Sequence, residues 1–231
     1  MKNVLASTYI SILCGMFFIF IGCSKHKSEP LVINPTVSPI PYSVLVYLIT
    51  PTDKSFSPDY YRGVKSCALS LQSWYKSQMG NKTFLLNPVV VDTLTGLHSS
   101  SWYNGDNGLP VGGDGPYYNT LYEMQQLLGA KFNTTNYTYF VFVAADFPDE
   151  TIPRGLAVEG LENIVGLTSK SPNFSLGSSA HALGHAFGLP EPGGVENPQA
   201  IMSTGYPHYP NCNFTQTEKD SLNATPFFHI Q

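Results

Sequence analysis

Charge is scarce in this chain. Asp, Glu, Lys and Arg together make up 12% of its 231 residues, and the formal net charge is −4. No basic stripe emerges from the Lys and Arg present, which excludes nucleic acid as a partner on electrostatic grounds. Cysteine occurs four times, and Cys14 and Cys23 fall within or just after the first apolar stretch. Only Cys67 and Cys212 are left for the folded part, where an exported chain could pair them or keep them as two separate buried thiols. Long apolar runs are missing too. Residues 10–21 form one, but Ser11, Cys14 and Gly15 interrupt it and it is too short for a comfortable membrane span.

That short run reads as an address. Lys2 supplies a positive start, and Ile21-Gly22-Cys23 ends the run with small residues before a cysteine, the layout of a bacterial lipoprotein signal. The expectation is cleavage before Cys23, with lipid on Cys23 holding the chain to a membrane of the bacterial cell envelope, facing the outer membrane or periplasm. Residues 1–22 are then signal peptide. Residues 23–41, with Pro30, Pro35, Pro39 and Pro41 and no helical period, are an extended tether. Residues 42–231 are long enough for one sizeable core and read as a single domain, expected to be a monomer.

The order of elements in that domain predicts an α/β (α+β) fold. Residues 43–50 (Ser-Val-Leu-Val-Tyr-Leu-Ile-Thr) are apolar nearly throughout, as a strand buried on both faces would be. Ser57-Pro58 opens a helix to about Met79, with Ser as cap and Pro in the first turn. Residues 83–91 predict a second strand, followed by a Gly-, Ser- and Asn-rich loop over 93–116 that contains Trp102 and Tyr103. His98 in that loop reads as a solvated side chain, not a ligand. Residues 118–128 predict a helix and residues 137–145 a strongly β-prone strand. Between 154 and 168 lie two short apolar runs, of which 164–168 is the candidate for an edge strand.

The chemistry gathers at Ser179-Ala180-His181-Ala182-Leu183-Gly184-His185-Ala186-Phe187-Gly188-Leu189-Pro190-Glu191. His181 and His185 are four apart, so a helix beginning near 177–179 places them one above the other on one face. Two imidazoles so placed can share a zinc ion, as in helices of the pattern H-E-x-x-H. Gly188 permits a left-handed turn and Pro190 forbids the helix from continuing, so the chain doubles back and Glu191 can present a third ligand. The alternative is a vestigial pair of histidines hydrogen-bonded in an old cleft. His208 is a lesser substitute ligand.

This frame resembles the metzincin zinc peptidases, whose pattern is H-E-x-x-H-x-x-G-x-x-H followed by a Met-turn. His181, His185 and Gly188 keep its spacing, and Ala200-Ile201-Met202-Ser203 is the Met-turn candidate. Segments 183–192 and 206–228 resemble, more narrowly, a group of bacterial metzincin-like metalloproteinase lipoproteins. The matching parts here are Gly205-Tyr206-Pro207-His208-Tyr209-Pro210 and a closing helix opened by the capping box Thr215-Gln216-Thr217-Glu218. The resemblance implies a zincin fold: a twisted mixed sheet backed by two helices, then a Met-turn and a C-terminal helix. It also implies zinc as cofactor, Met202 as the apolar floor of the site, a strand beside the cleft that pairs with an extended polypeptide, and Tyr206 as a possible oxyanion donor.

Two departures from that pattern bear on function. The glutamate that serves as general base is replaced by Ala182, and the third histidine by Glu191. A positioned base contributes ~10²–10⁴ in rate, which alanine cannot supply. The reading is therefore a degenerate metallopeptidase homologue, a pseudopeptidase acting as a binding module in the envelope. The alternative is a zinc-dependent endopeptidase whose base has moved to another carboxylate such as Glu159, Glu162 or Glu196.

Overall fold

In a computed structural model the described residues are 39–111, 115–147, 150–151, 155–191 and 196–230. The signal peptide, Cys23 and nearly all of the tether lie outside them.

The sheet grows from its most apolar segment. Strand β1 (Ser43–Thr50) is buried along almost its whole length, because its alternate side chains enter different cores. Val44, Val46 and Leu48 face helix α1 (Pro58–Gln78), together with Val64, Cys67, Leu71, Trp74 and Tyr75. Leu45, Tyr47 and Ile49 face helix α2 (Pro116–Leu128), with Tyr117 and Met124. The period of two in a strand thus sets one crossover helix on each face.

Two residues, Lys82–Thr83, form the short strand β2, and the longer β3 (Leu85–Thr95) follows. Next come β4 (Tyr137–Val143), the two-residue β5 (Glu150–Thr151) and β6 (Leu156–Glu159). The sheet order is β3-β1-β4-β6-β5. β1 runs parallel to β3 and β4, β4 runs parallel to β6, and β5 alone is antiparallel, at the edge. Helices α3 (Leu161–Leu167) and α4 (Asn173–Ala186) share the α1 face, and Tyr75 ties α1 to α4 by donating its hydroxyl to Ala180 O at 2.8 Å. Helix α5 (Gln216–Asn223) closes the chain under the capping box, where Thr215 Oγ1 accepts from Glu218 N and Glu218 accepts from Thr215 N. Strand β7 (His229–Ile230) pairs with β2. The result is the expected metzincin-like mixed α/β fold.

Two expectations are corrected. Residues 164–168 are not a strand: 161–167 form α3, because Asn163, Ile164 and Leu167 recur at helical spacing and bury one face while Val165 stays exposed. The edge position belongs to β5. Helix α4 begins at Asn173, ahead of the expected 177–179, and Gly177 lies inside it, against the Tyr206 backbone. Of the two readings left open for Cys67 and Cys212, the structure has the second: both are buried free thiols, and burial raises the pKa of each, that of Cys212 to about 11.

Candidate metal centre

Helix α4 ends in a turn that aims its own ligands. Gly188 adopts φ +96°, Gly188 N donates to His185 O at 2.7 Å, and Leu189 N donates to Gly184 O at 3.1 Å. This is a Schellman closure, which a side chain at 188 would strain. Leu189 is buried, and its carbonyl receives a hydrogen bond from His185 Nδ1 at 2.8 Å. His181 Nδ1 donates to Ile201 O at 2.9 Å, on the segment expected to be the Met-turn. Carbonyl oxygens only accept, so both Nδ1 atoms carry the proton, and a neutral imidazole so held presents its Nε2 lone pair.

Those lone pairs converge. His181 Nε2 and His185 Nε2 are 3.0 Å apart, and Glu191 Oε1 lies 2.8 Å from the second and 3.5 Å from the first. Among the described residues these three form a group able to hold a metal ion. With both imidazoles neutral, three acceptors would face one another without a donor, and a cation between them removes the conflict. The spacings are close to the ~3.3 Å edge of a tetrahedron built on zinc–nitrogen bonds of ~2.0–2.1 Å. Burial lowers the pKa of His181, with the neighbouring His185 adding to the effect against its bond to Ile201 O and the Glu191 carboxylate, which favours the neutral, ligating form. The donor set fits a divalent metal.

The floor of the site explains three glycines. Met202 is fully buried beneath the helix, and a β-carbon on Gly184 would fall 2.3 Å from its sulfur. A β-carbon on Gly177 would fall 1.9 Å from Tyr206 O, and one on Gly205 would fall 2.4 Å from Ala200 O. Gly184 and Gly177 let the methionine turn and the Tyr206 segment lie directly on α4. Gly177→Ala, which meets backbone and not a flexible side chain, is therefore expected to cost at least the ~1–3 kcal/mol typical of overpacking. A melting curve should show a drop of several degrees, larger than that of Gly184→Ala.

Tyr206 is half-buried, its ring 5.5 Å from that of His181 and edge-on to the exposed Phe174. Ala182 is buried in the main core, so the position of the general base offers only a methyl group. The alternative carboxylates are elsewhere. Glu159 is fully buried and accepts from Asn163 Nδ2 at 2.6 Å, and Asn163 also reaches Ser179 Oγ at 2.9 Å. Ser179 is two residues from His181, about 200° around the helix, so this cluster lies on the far side of α4 from the histidines. Glu162, Glu196 and His208 are exposed and outside the ligand group.

The loop histidine departs from its expectation. His98 is half-buried, stacked on Trp102 with centroids 3.7 Å apart and 8° between the planes, and bonded to the buried Glu123. Helix α2 looked ordinary in sequence; a glutamate among Asn119, Thr120 and Met124 was the one sign that a charge turned inward there.

This topology, with a histidine-bearing helix over a methionine turn, can be set beside solved structures. The chain has a metallopeptidase-like fold. OgpA from Akkermansia muciniphila, in its wild-type form, aligns with a TM-score of 0.59 at 15% identity over 87% of this chain. A catalytically inactive OgpA in complex with an O-glycopeptide substrate, glycodrosocin, aligns with a TM-score of 0.58 at 16% identity, also over 87% of this chain. The chain spans 66% of the length of OgpA. Metalloproteinase-II from Bacteroides fragilis aligns with a TM-score of 0.41 at 17% identity, over 82% of this chain and 54% of its own. No family model and no curated protein matches the sequence.

Proposed function

We propose that this chain is a catalytically degenerate metallopeptidase homologue, a monomer held in the bacterial cell envelope by lipid on Cys23, which binds polypeptide without cleaving it. The observation that carries the reading is the pairing of a convergent ligand set with an empty base position. His181, His185 and Glu191 meet within hydrogen-bonding distance, while Ala182, next to the first ligand, is buried and carries no acid.

Zinc, when bound, supplies Lewis acidity and lowers the pKa of bound water toward ~7. The chain's own groups supply less than hydrolysis needs. Nothing at 182 takes a proton from water or returns one to a leaving amine, and an anionic third ligand reduces the acidity that the metal can lend. What remains suits binding: a metal held by neutral imidazoles, an antiparallel edge strand at β5, and the Tyr206 phenol, whose hydroxyl has no hydrogen-bond partner among the described residues. The O-glycopeptide bound to inactive OgpA supports a peptide ligand for a fold of this kind.

The deciding experiment measures zinc content and hydrolysis of an unfolded protein substrate on one sample. Stoichiometric zinc without turnover is the expected result. Turnover abolished by a chelator would overturn the pseudopeptidase reading in favour of an endopeptidase with a relocated base.

A further inference from the structure

The surface beside the metal centre carries an aromatic ring that the fold leaves in solvent. Phe174, in the first turn of α4, is 60% exposed, the most exposed Phe, Tyr or Trp among the described residues. The leucines and alanines of the same helix are buried or half-buried. Single exposed apolar side chains are ordinary on protein surfaces, so exposure alone says little. The position says more. Phe174 precedes His181 by seven residues, which turn a helix through about 700°, within about 20° of two full turns. Phe174, His181 and His185 therefore stand in one row on one face of α4.

Tyr206 bridges that row. Its ring centroid lies 5.9 Å from that of Phe174, with 65° between the planes, and 5.5 Å from that of His181, with 54°. Aromatic rings prefer such edge-on and tilted contacts to a face-to-face sandwich. Gly177 makes the arrangement possible, because the Tyr206 backbone rests where a side chain at 177 would stand, between Phe174 and His181 in the helix. The row is open to solvent at its metal end too, since the side chains of His181 and Glu191 are 20% and 71% exposed. Neither α4 nor residues 205–210 contains Asp, Glu, Lys or Arg, so the stretch from Phe174 to the histidines has no acid or strong base of its own.

We propose that Phe174 and Tyr206 form a ledge that sets the sequence preference of the metal cleft, by packing against a large apolar side chain, Phe or Leu, of an extended polypeptide. That role rests on the polypeptide binding proposed above and names the residues that choose among polypeptides. The spacing suits such a ligand. Seven residues of α-helix advance ~10 Å. An extended chain advances ~3.3 Å per residue and returns its side chains to the same side every second residue. A polypeptide with a carbonyl oxygen at the metal therefore carries the side chain two residues farther on ~7 Å along the row, and the length of that side chain covers the rest. Packing it on Phe174 takes two apolar surfaces out of water together, which is the favourable term in burial. A carboxylate at the same place loses hydration against the rings and meets no counter-charge on α4 or residues 205–210.

The test reads preference, not activity. Short peptides of Thr and Ala, acetylated and amidated at their ends, carry Phe, Leu, Ala or Glu at the centre and are titrated calorimetrically into the zinc-supplemented chain. The Phe and Leu peptides are expected to bind the wild type at least about tenfold more tightly than the Ala and Glu peptides. Phe174→Ala should cut that preference to less than about threefold, with zinc content and melting temperature unchanged, and Phe174→Tyr should keep it. Should Phe174→Ala melt early, nuclear Overhauser contacts from the central ring of the Phe peptide to Phe174 and Tyr206 of the wild type decide alone. Equal binding of all four peptides, or a preference that survives Phe174→Ala, overturns the ledge and leaves polypeptide binding standing. Binding of none of them overturns both. Cleavage of the peptides overturns only the claim that the chain does not hydrolyse what it binds, and the same preference, now read from KM, still decides for or against the ledge.

Discussion

His185→Ala is expected to empty the metal centre, and with it the dependence of stability on metal. Protein purified with zinc should hold one equivalent, and the variant close to none. Groups that merely orient metal ligands are worth ~10–100-fold in affinity, and His185 would be a ligand itself, so its loss exceeds that range. A metal at about 1,000 times its dissociation constant stabilises the folded state by ~4 kcal/mol, and each kcal/mol is worth ~2–4 °C for a domain of this size. A chelator should therefore lower the wild-type melting temperature by roughly ten degrees. His185→Ala should melt at the same temperature with or without the chelator, and His208→Ala, which alters an exposed histidine outside the ligand group, should behave as wild type. A wild-type chain that melts identically with and without zinc would reduce the three converging acceptors to a hydrogen-bonded remnant.

The legibility of this centre in the sequence followed from how local its geometry is. His181, His185, Gly188 and Glu191 lie within eleven residues, so helix period and one glycine turn decide where they point. The strand at 43–50 was legible for a similar reason, since unbroken apolarity over eight residues leaves few options besides burial on both faces. What escaped depended on partners distant in sequence. The spacing within α4 did not reveal that His181 would be oriented by Ile201 O, nor that Gly177 and Gly184 were required by Tyr206 and Met202. The early start of α4 was missed because glycine at 177 reads locally as a helix boundary, whereas here it is a contact. Residues 164–168 were misread because two β-branched residues beside a glycine suit an edge strand as well as a short helix; burial of Asn163 and Leu167 on one face decided between them. Glu123 and His98 are 25 residues apart, and no local pattern joins a loop histidine to a glutamate on a helix.

Restoring the general base alone is not expected to restore hydrolysis. Ala182→Glu returns the missing carboxyl in name, but Ala182 is only 4% exposed, and a glutamate there must push into packed surroundings. Overpacking costs ~1–3 kcal/mol, and burying a carboxylate without partners adds to it. A second obstacle is Glu191, whose carboxylate oxygen lies 2.8 Å from His185 Nε2, so any metal between the histidines is partly neutralised. A less positive centre acidifies bound water less, which removes what the new base would act on. Ala182→Glu should leave cleavage of an unfolded protein substrate at background and lower the melting temperature. The double variant Ala182→Glu/Glu191→His brings back both the base and a neutral third ligand, and its rate should exceed that of either single variant by ~10²-fold or more, the lower range for a positioned general base. The non-additivity is the informative quantity, since base and ligand act on the same water. Vigorous cleavage by Ala182→Glu alone would mean that Glu191 is no obstacle, and that the one absent glutamate separates this chain from a working peptidase.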